Sequence, residues 1–450
     1  MRVILVGGGE SGLELARLLS GRHDIYVIDS DPAVAERFAA LNVEFLAGSG
    51  TSATILGRAE IESCDVFVAC TGQDEVNLVA CSIARKLGHP ETVCFVSKEE
   101  LAGSIGDGES IRAHFDVERL VWPEAQLADD IGRIVAEPGA IDAEAFADGQ
   151  IRLLEYRVEA HSPLTRGPVS ALALPHGSLI VALKREDTIS SPRGQTRLAA
   201  GDKVIVMGRR DAMGAVRSRF TAGVGARASG RLVTIVGGGD VGSRLAQQLD
   251  ASPGLRLRVI ERDRRRGEWL ASTLTRGLVV HGDGTDPELL EAEEVGRSDV
   301  LVSVIDNDER NLLASLIGKQ LGARRIITRV SRRANLRLFE RVGIDVALSA
   351  RGAAVAAVAH RIEGGKSNLL AVLEEGQAQI VEIEVPETLA PTPLRDLGAP
   401  AESIVGAILR GRDAIVPRGE DEIRPGDHLL VFTTMAAAEQ VRDFFGRSAT

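Results

Sequence analysis

The sequence lacks most of what would tie it to a bilayer, an oxidising compartment or a nucleic acid. Only four of its 450 residues are cysteine: Cys64, Cys70, Cys81 and Cys94, all in the first quarter and set among small apolar residues. Their spacing fits no zinc pattern and no disulfide framework, so they read as reduced core thiols of a cytosolic protein. No stretch approaches the roughly 20 consecutive apolar residues of a membrane span. Met1 and Arg2 lead straight into an apolar strand, which predicts no signal peptide. Positive charge is in deficit, with a formal net charge of -11. That balance keeps a protein soluble and argues against a nucleic-acid backbone as the main partner. The basic run Arg262, Arg264, Arg265 and Arg266 reads as a solvated loop or helix start.

The material present is that of a globular chain, 44% hydrophobic and 26% charged. Its length suits roughly three to four domains with more than one core. Walking along it reveals a repeat. Val3-Ile4-Leu5-Val6-Gly7 is answered by Val233-Thr234-Ile235-Val236-Gly237, and Gly7-x-Gly9-x-x-Gly12 by Gly237-x-Gly239-x-x-Gly242. Tyr26-Val27-Ile28-Asp29 then matches Arg258-Val259-Ile260-Glu261, and Gly48-Ser49-Gly50-Thr51 matches Gly282-Asp283-Gly284-Thr285. Asp65-Val66-Phe67-Val68-Ala69 and Asp74-Glu75-Val76-Asn77 have counterparts in Asp299-Val300-Leu301-Val302-Ser303 and Asp308-Glu309-Arg310-Asn311. Helical patterns lie between these short strands, which implies a parallel α/β sheet in each copy.

A smaller block follows each copy. Its signature is a strand, a Gly-Asp pair and another strand: Leu179–Leu183 with Gly201-Asp202, and Ile404–Ile408 with Gly426-Asp427. Turn-rich segments at Pro138-Gly139, near Gly223–Gly230 and at Glu363-Gly364-Gly365-Lys366 set the boundaries. The predicted organisation is a nucleotide-binding lobe over 1–138, a companion lobe over 139–226, a second nucleotide lobe over 227–362 and a second companion over 363–450. The fold class is α/β: two Rossmann-like parallel-sheet lobes, each followed by a small α+β lobe, made by internal duplication.

In a strand–turn–helix setting, the first glycine allows the tight turn. The second lets backbone approach a pyrophosphate, and the third packs helix on strand. The phosphate would sit at the helix N-terminus, where unpaired N–H groups point outward. Candidate ligand residues are therefore Gly7, Gly8, Gly9, Glu10, Ser11 and Gly12 in the first copy. Gly237, Gly238, Gly239, Asp240, Val241 and Gly242 are those of the second. Asp29 and Glu261 close the second strand of each copy, placed to accept hydrogen bonds from an adenosine ribose and to disfavour a 2′-phosphate. Thr51 and Asp283 follow the third strands. Thr71-Gly72 and Ile305-Asp306 follow the fourth, where they either line adenine or ribose or simply make a turn.

Hydride transfer needs a proton donor or acceptor opposite the nicotinamide. The eight histidines occupy no matched positions, and no Ser-His-Asp set, P-loop or metal cluster is recognisable. Binding without turnover is the better reading.

These stretches, in this order, resemble the TrkA family, cytosolic regulatory subunits of Trk-type potassium uptake systems built from tandem RCK units. Gly7–Gly12, Gly237–Gly242, Val259-Ile260-Glu261-Arg262-Asp263 and Gly282-Asp283-Gly284-Thr285 carry the resemblance in the nucleotide lobes. Ser162-Pro163-Leu164, Leu198-Ala199-Ala200-Gly201-Asp202 and Ile423-Arg424-Pro425-Gly426-Asp427 carry it in the companion lobes. The resemblance implies NAD+/NADH, or alternatively ATP/ADP, in the nucleotide lobes. It also implies a homo-oligomeric ring, peripheral on the inner face of the cell membrane, docked on a membrane potassium transporter subunit of the TrkH/TrkG type. A regulator of another cation channel or antiporter, and a dehydrogenase, are the alternatives. The two copies differ. Ser49 stands where the second has Asp283, and Phe95 or Val96 where the second has Arg329, an arginine suited to a ligand phosphate. Lys98 is a substitute charge in the first copy or a solvated lysine.

Overall fold

The computed structural model describes residues 1–98, 101, 115–160, 162–186, 188–220, 230–363, 368–387 and 391–446. Most of the expected boundary segments at 223–230 and 363–366 lies outside that set. The chain divides into two compact units. One joins Met1–Gly132 to Arg227–Ile362, and the other joins Arg133–Ala226 to Glu363–Thr450.

The first half of the first unit contains β1 (Arg2–Val6), α1 (Glu10–Leu19), β2 (Asp24–Asp29), β3 (Glu44–Ala47), α2 (Ala53–Arg58), β4 (Val66–Ala69), α3 (Asp74–Gly88), β5 (Glu91–Phe95), β6 (Arg119–Val121) and α4 (Pro123–Ala136). Its sheet runs β3-β2-β1-β4-β5-β6, with every pairing parallel. Strand β1 is buried on both faces, which is why it reads as an unbroken apolar run and not an alternating one. The order reverses beside β1, so a crevice opens at the C-terminal ends of β1 and β4.

The companion elements in the other unit are β7 (Ala140–Phe146), β8 (Ile151–Arg157), β9 (Ser178–Arg185), β10 (Thr188–Ser190), β11 (Lys203–Arg209) and α5 (Met213–Phe220). The second nucleotide lobe repeats the first. It contains β12 (Arg231–Val236), α6 (Asp240–Asp250), β13 (Leu255–Glu261), α7 (Arg264–Thr273), β14 (Leu278–His281), α8 (Pro287–Ala292), β15 (Val300–Ser303), α9 (Asp308–Leu321), β16 (Ile326–Arg329), α10 (Arg333–Arg341), β17 (Val346–Leu348) and α11 (Ala350–Glu363). Its sheet order, β14-β13-β12-β15-β16-β17, reproduces that of the first lobe.

The last helix of each nucleotide lobe packs on the other lobe. Leu127, Ala128 and Ile131 of α4 are buried. Gly132 of the same helix abuts Leu245 and Gln248 of α6, and just before the helix Arg244 stands 5.5 Å over the Trp122 ring. In return, Ala354, Val355, Val358, Ala359 and Ile362 of α11 join the core that holds Val3, Leu5, Leu13, Ala16 and Phe95 of the first lobe. The exchange explains why the two lobes form one unit although the companion lobe separates them in sequence. No helix among the described residues is long and apolar enough to cross a membrane.

The second companion lobe adds β18 (Asn368–Leu373), β19 (Ala378–Glu384), β20 (Thr392–Pro393), β21 (Ser403–Arg410), β22 (Asp413–Ile415), β23 (Glu422–Ile423), β24 (His428–Thr434) and α12 (Ala438–Gly446). The two antiparallel sheets, β10-β9-β11-β8-β7 and β18-β19-β24-β21-β22, share one core. Leu153, Val181, Ile205 and Met207 from one meet Ile380, Ala407, Leu430 and Phe432 from the other. A Cβ at Gly406 would lie 2.5 Å from the Met207 sulfur, so glycine there lets the sheets close.

The repeated Gly-Asp pairs make the turns into β11 and β24, and the aspartates do more than turn. Asp202 receives two hydrogen bonds from Arg185, at 2.9 and 2.8 Å, and Asp427 receives two from Arg410, both 2.7 Å. Each arginine also donates to a backbone carbonyl of the neighbouring segment, Arg197 or Glu422. The fork thus ties the β9 or β21 end to the turn. Burial alone would raise the Asp427 carboxyl, but the Arg410 hydrogen bonds and the Arg424 N–H outweigh it and hold it below the ordinary aspartate value.

The expected consequence is that Asp427→Ala costs stability near the low end of the roughly 3–5 kcal/mol for breaking a buried pair, because 31% of the Arg410 side chain remains in solvent. A depressed carboxyl contributes stability above its unfolded value and loses it as pH falls through the folded one. The variant's deficit, measured by denaturant unfolding, should therefore be full at pH 7 and shrink below about pH 4.

Candidate functional site

Each nucleotide lobe builds the same cradle where its first strand ends. Gly7 and Gly237 take φ of +110° and +101°, a region that favours glycine, and turn the chain back on itself. The third glycine is required by contact. A Cβ on Gly12 would sit 1.9 Å from the Gly7 carbonyl oxygen, and one on Gly242 would sit 1.8 Å from that of Gly237. The middle glycine faces open space. Nothing lies within 4 Å of a Cβ built on Gly9, and only an Arg266 nitrogen, at 3.8 Å, approaches one on Gly239. The three positions thus divide into turn, open approach and packing.

Gly9 and Gly239 are the N-caps of α1 and α6, and neither helix has a side-chain cap. The first N–H groups of Glu10, Ser11 and Gly12, and of Asp240, Val241 and Gly242, have no partner within their helices. Free N–H groups at a helix start suit an anion. Asp29 and Glu261 brace the turn from β2 and β13. The Gly8 N–H donates to Asp29 at 2.6 Å and the Gly238 N–H to Glu261 at 2.5 Å. The other oxygen accepts from the backbone of Asp31 or Asp263. A carboxylate has about four acceptor positions, so each keeps capacity for a ribose hydroxyl.

The loops after the third and fourth strands close on the same turn. A Cβ on Gly50 or Gly284 would meet Val6 or Val236 at 2.1 Å, which sets Thr51 and Asp283 beside the end of the first strand. Thr51 is held by Ser49, whose Oγ accepts from the Thr51 N–H at 3.2 Å. Asp283 accepts from the Thr285 hydroxyl at 2.7 Å and from Arg310 at 2.6 Å. Burial would raise the Asp283 carboxyl, but these donors bring it down on balance, so it remains a charged partner for Arg310. The Thr71 N–H lies 2.9 Å from the Cβ position of Gly7, and Gly72 has nothing within 4 Å of its own.

Two repeated residues that sequence reading left without a role organise this end of the sheet. Buried Asn77 accepts from the Thr71 N–H at 2.9 Å and donates to the carbonyls of Thr71 and Phe95. Asn311 does the same for Ile305 and Arg329. Asp74 and Asp308 cap the loops after β5 and β16 through Ser97, Lys98, Ser331 and Arg332 N–H groups. The signal was the repeated Asp-x-x-Asn, but its meaning required the fifth strand to lie next to it.

The lobes differ in charge. Asn311 marks Arg329 as the counterpart of Phe95. Arg329 is paired with Asp306 at 2.9 Å, while its Nε is buried without a partner. Arg310, Arg262 and Arg266 add positive charge around the second turn. In the first, Arg37 pairs with Glu10 at 2.6 Å, and Lys98 pairs with Glu75 among exposed groups. Glu124, at the start of the exchanged α4, faces the second cradle. Burial pushes its carboxyl up, Arg329 offsets part of that, and Asp240 and Asp306 add to it. Its Oε2 is buried without a hydrogen bond. The cysteines stay out of this chemistry: all four are buried, and burial drives the Cys64 and Cys70 thiols up to about 12.

The contrast between glycines is testable. Gly242→Ala should destabilise the chain by several degrees in a thermal melt, because backbone must move away from Gly237. Gly239→Ala should melt within about a degree of the parent, since surface changes that touch nothing cost little.

Family models match this division. The TrkA-N domain matches residues 3–107 and 233–350, and the TrkA-C domain matches 153–221 and 380–446. The chain is 35% identical over 454 residues to "Trk system potassium uptake protein TrkA homolog 1" of Methanosarcina mazei, covering 99% of this chain and all of the relative. It is 35% identical over 449 residues to the TrkA homolog of Archaeoglobus fulgidus, covering 99% of this chain and 100% of the relative. Azorhizobium caulinodans TrkA is 28% identical over 454 residues, covering 99% of this chain and 98% of that protein. Among solved structures, the GsuK RCK domain superposes with a TM-score of 0.60 at 18% identity, covering 99% of this chain and 95% of that one. A GsuK channel bound to NAD gives 0.60 at 17%, covering 99% and 79%. The duplicated glycine turns, the paired sheets and these matches together place the chain in the TrkA family, as a tandem of TrkA-N and TrkA-C domains.

Proposed function

We propose that this chain is a nucleotide-sensing regulatory subunit of a membrane potassium uptake transporter, binding NAD(H), or alternatively ATP/ADP, in its two Rossmann lobes. The observation that carries the reading is the cleared space over Gly9 and Gly239 at uncapped helix ends, braced by Asp29 and Glu261. Such a cradle suits a pyrophosphate with an adjoining ribose. The names of the TrkA relatives support the potassium uptake assignment, and the GsuK channel solved bound to NAD supports a dinucleotide.

In this reading the lobes run 1–138, 139–226, 227–362 and 363–450. The protein acts as a non-enzymatic homo-oligomer, a ring on the inner face of the cell membrane, docked to a transporter subunit of the TrkH/TrkG type. A ligand biases such an assembly only by binding its two states unequally. The exchanged helices α4 and α11 give each cradle a wall from the other lobe, so a ligand in one lobe would act on the packing of both. The proposed ligand residues are those of the two cradles. In the first lobe these are Gly7, Gly8, Gly9, Glu10, Ser11, Gly12, Asp29, Thr51, Thr71 and Gly72. In the second they are Gly237, Gly238, Gly239, Asp240, Val241, Gly242, Glu261, Asp283 and Arg329.

Titration calorimetry with NADH, NAD+, ATP and ADP tests this. At least one should bind, and Gly239→Val, which fills the open approach, should remove second-lobe binding while the protein stays folded. Binding of none of the four would defeat nucleotide sensing, and sustained NADH oxidation with a small substrate would defeat the non-enzymatic part.

A further inference from the structure

The two exchanged helices carry opposite charges at equivalent positions. Val121 and Leu348 are equivalent, because β6 pairs Val121 with Phe95 and β17 pairs Leu348 with Arg329. Counting on from them, Glu124 corresponds to Arg351. The burial pattern keeps the same register: Leu127, Ala128, Ile131 and Val135 are buried in α4, and Ala354, Val355, Val358 and Ile362 in α11. Glu124, whose Oε2 is buried without a hydrogen bond, lies within the electrostatic reach of Arg329, Asp240 and Asp306 of the second lobe. By the same register, the first-lobe counterparts of Arg329, Asp240 and Asp306 are Phe95, Glu10 and Gly72. One turn beyond Arg351, Ala354 and Val355 share a core cluster with Phe95, Cys70 and Leu13, which flank the first cradle.

Both positions are therefore reversed together. The second lobe has arginine on its own fifth strand and glutamate on the visiting helix. The first lobe has phenylalanine on its own strand and arginine on the visiting helix. Arg351 is exposed and has no ion-pair partner among the described residues. We infer that Arg351, from the second nucleotide lobe, is a phosphate-binding residue of the first lobe's site, replacing from across the pair the arginine that Phe95 displaces. The inference rests on the nucleotide reading above. A guanidinium there would form charge-assisted hydrogen bonds to terminal phosphate oxygens. The first site would then favour a ligand with a free terminal phosphate group, and its affinity would depend on α11 staying seated.

The test uses the full chain carrying Gly239→Val, so that the first lobe is read alone, with AMP, ADP and ATP titrated by calorimetry. Arg351→Ala should weaken ATP binding roughly 10- to 100-fold, the range for losing a hydrogen bond to a charged group. The loss should grow from AMP to ADP to ATP, Arg351→Lys should recover part of it, and Glu124→Ala should leave all three unchanged. Unchanged ATP affinity in Arg351→Ala overturns the inference while nucleotide sensing stands. An equal loss for AMP, ADP and ATP, the mark of a merely structural role, overturns it too. If the unmutated chain binds no nucleotide at all, the underlying reading fails and this inference falls with it.

Discussion

The nucleotide lobes depend on one close approach, the carbonyl oxygen of the first turn glycine against the Cα of the third. With Cβ positions under 2 Å from that oxygen at Gly12 and Gly242, only glycine lets the first helix begin directly beneath the strand end. Everything at the site follows from that start. The helix N-terminus is left uncapped, its N–H groups face the crevice at the strand-order reversal, and the neighbouring carboxylate has a turn amide to hold. The loops after the third and fourth strands then press on the same turn through Gly50, Gly284 and Thr71.

Duplication supplied two such cradles, and side chains on their own strands and loops make them unequal. Each lobe lends its last helix to the other, so the packing of each lobe includes residues from both halves of the chain. The charge pattern around the second turn is rich in arginine paired to acid: Arg310 with Asp283, and Arg329 with Asp306. The first turn keeps a simpler set, with Arg37 on Glu10. The two turns therefore share one backbone and differ in the charge set around it. The companion lobes follow another logic. Their repeated Asp–Arg forks and shared sheet core serve rigidity, and a buried cluster of Glu155, Glu374, Lys184 and Lys203 clamps the two sheets at their join. Burial and the nearby Glu374 push the Glu155 carboxyl well up, while Lys203 and Lys184 overcome burial and hold the Glu374 carboxyl down.

The sequence by itself determined the lobes and their turns. Glycine spacing, an acid at the end of the second strand and strand runs in matching order are local facts, because turn geometry, helix starts and strand burial act over a few residues. They singled out Gly7 to Gly12, Gly237 to Gly242, Asp29, Glu261 and Asp283, which the fold gathers around the end of each lobe's first strand. Tertiary structure decided what no local pattern encodes. Asn77 and Asn311 read as repeated polar residues until the fifth strand lay beside them. Asp202 and Asp427 read as turn residues until Arg185 and Arg410 came across from another strand. Glu124 and Arg351 carried no signal at all, since a helix's own periodicity tells which face is buried and not which lobe will bury it. That choice is made by the long-range fit of one apolar surface to another, and it decided which lobe buries each helix.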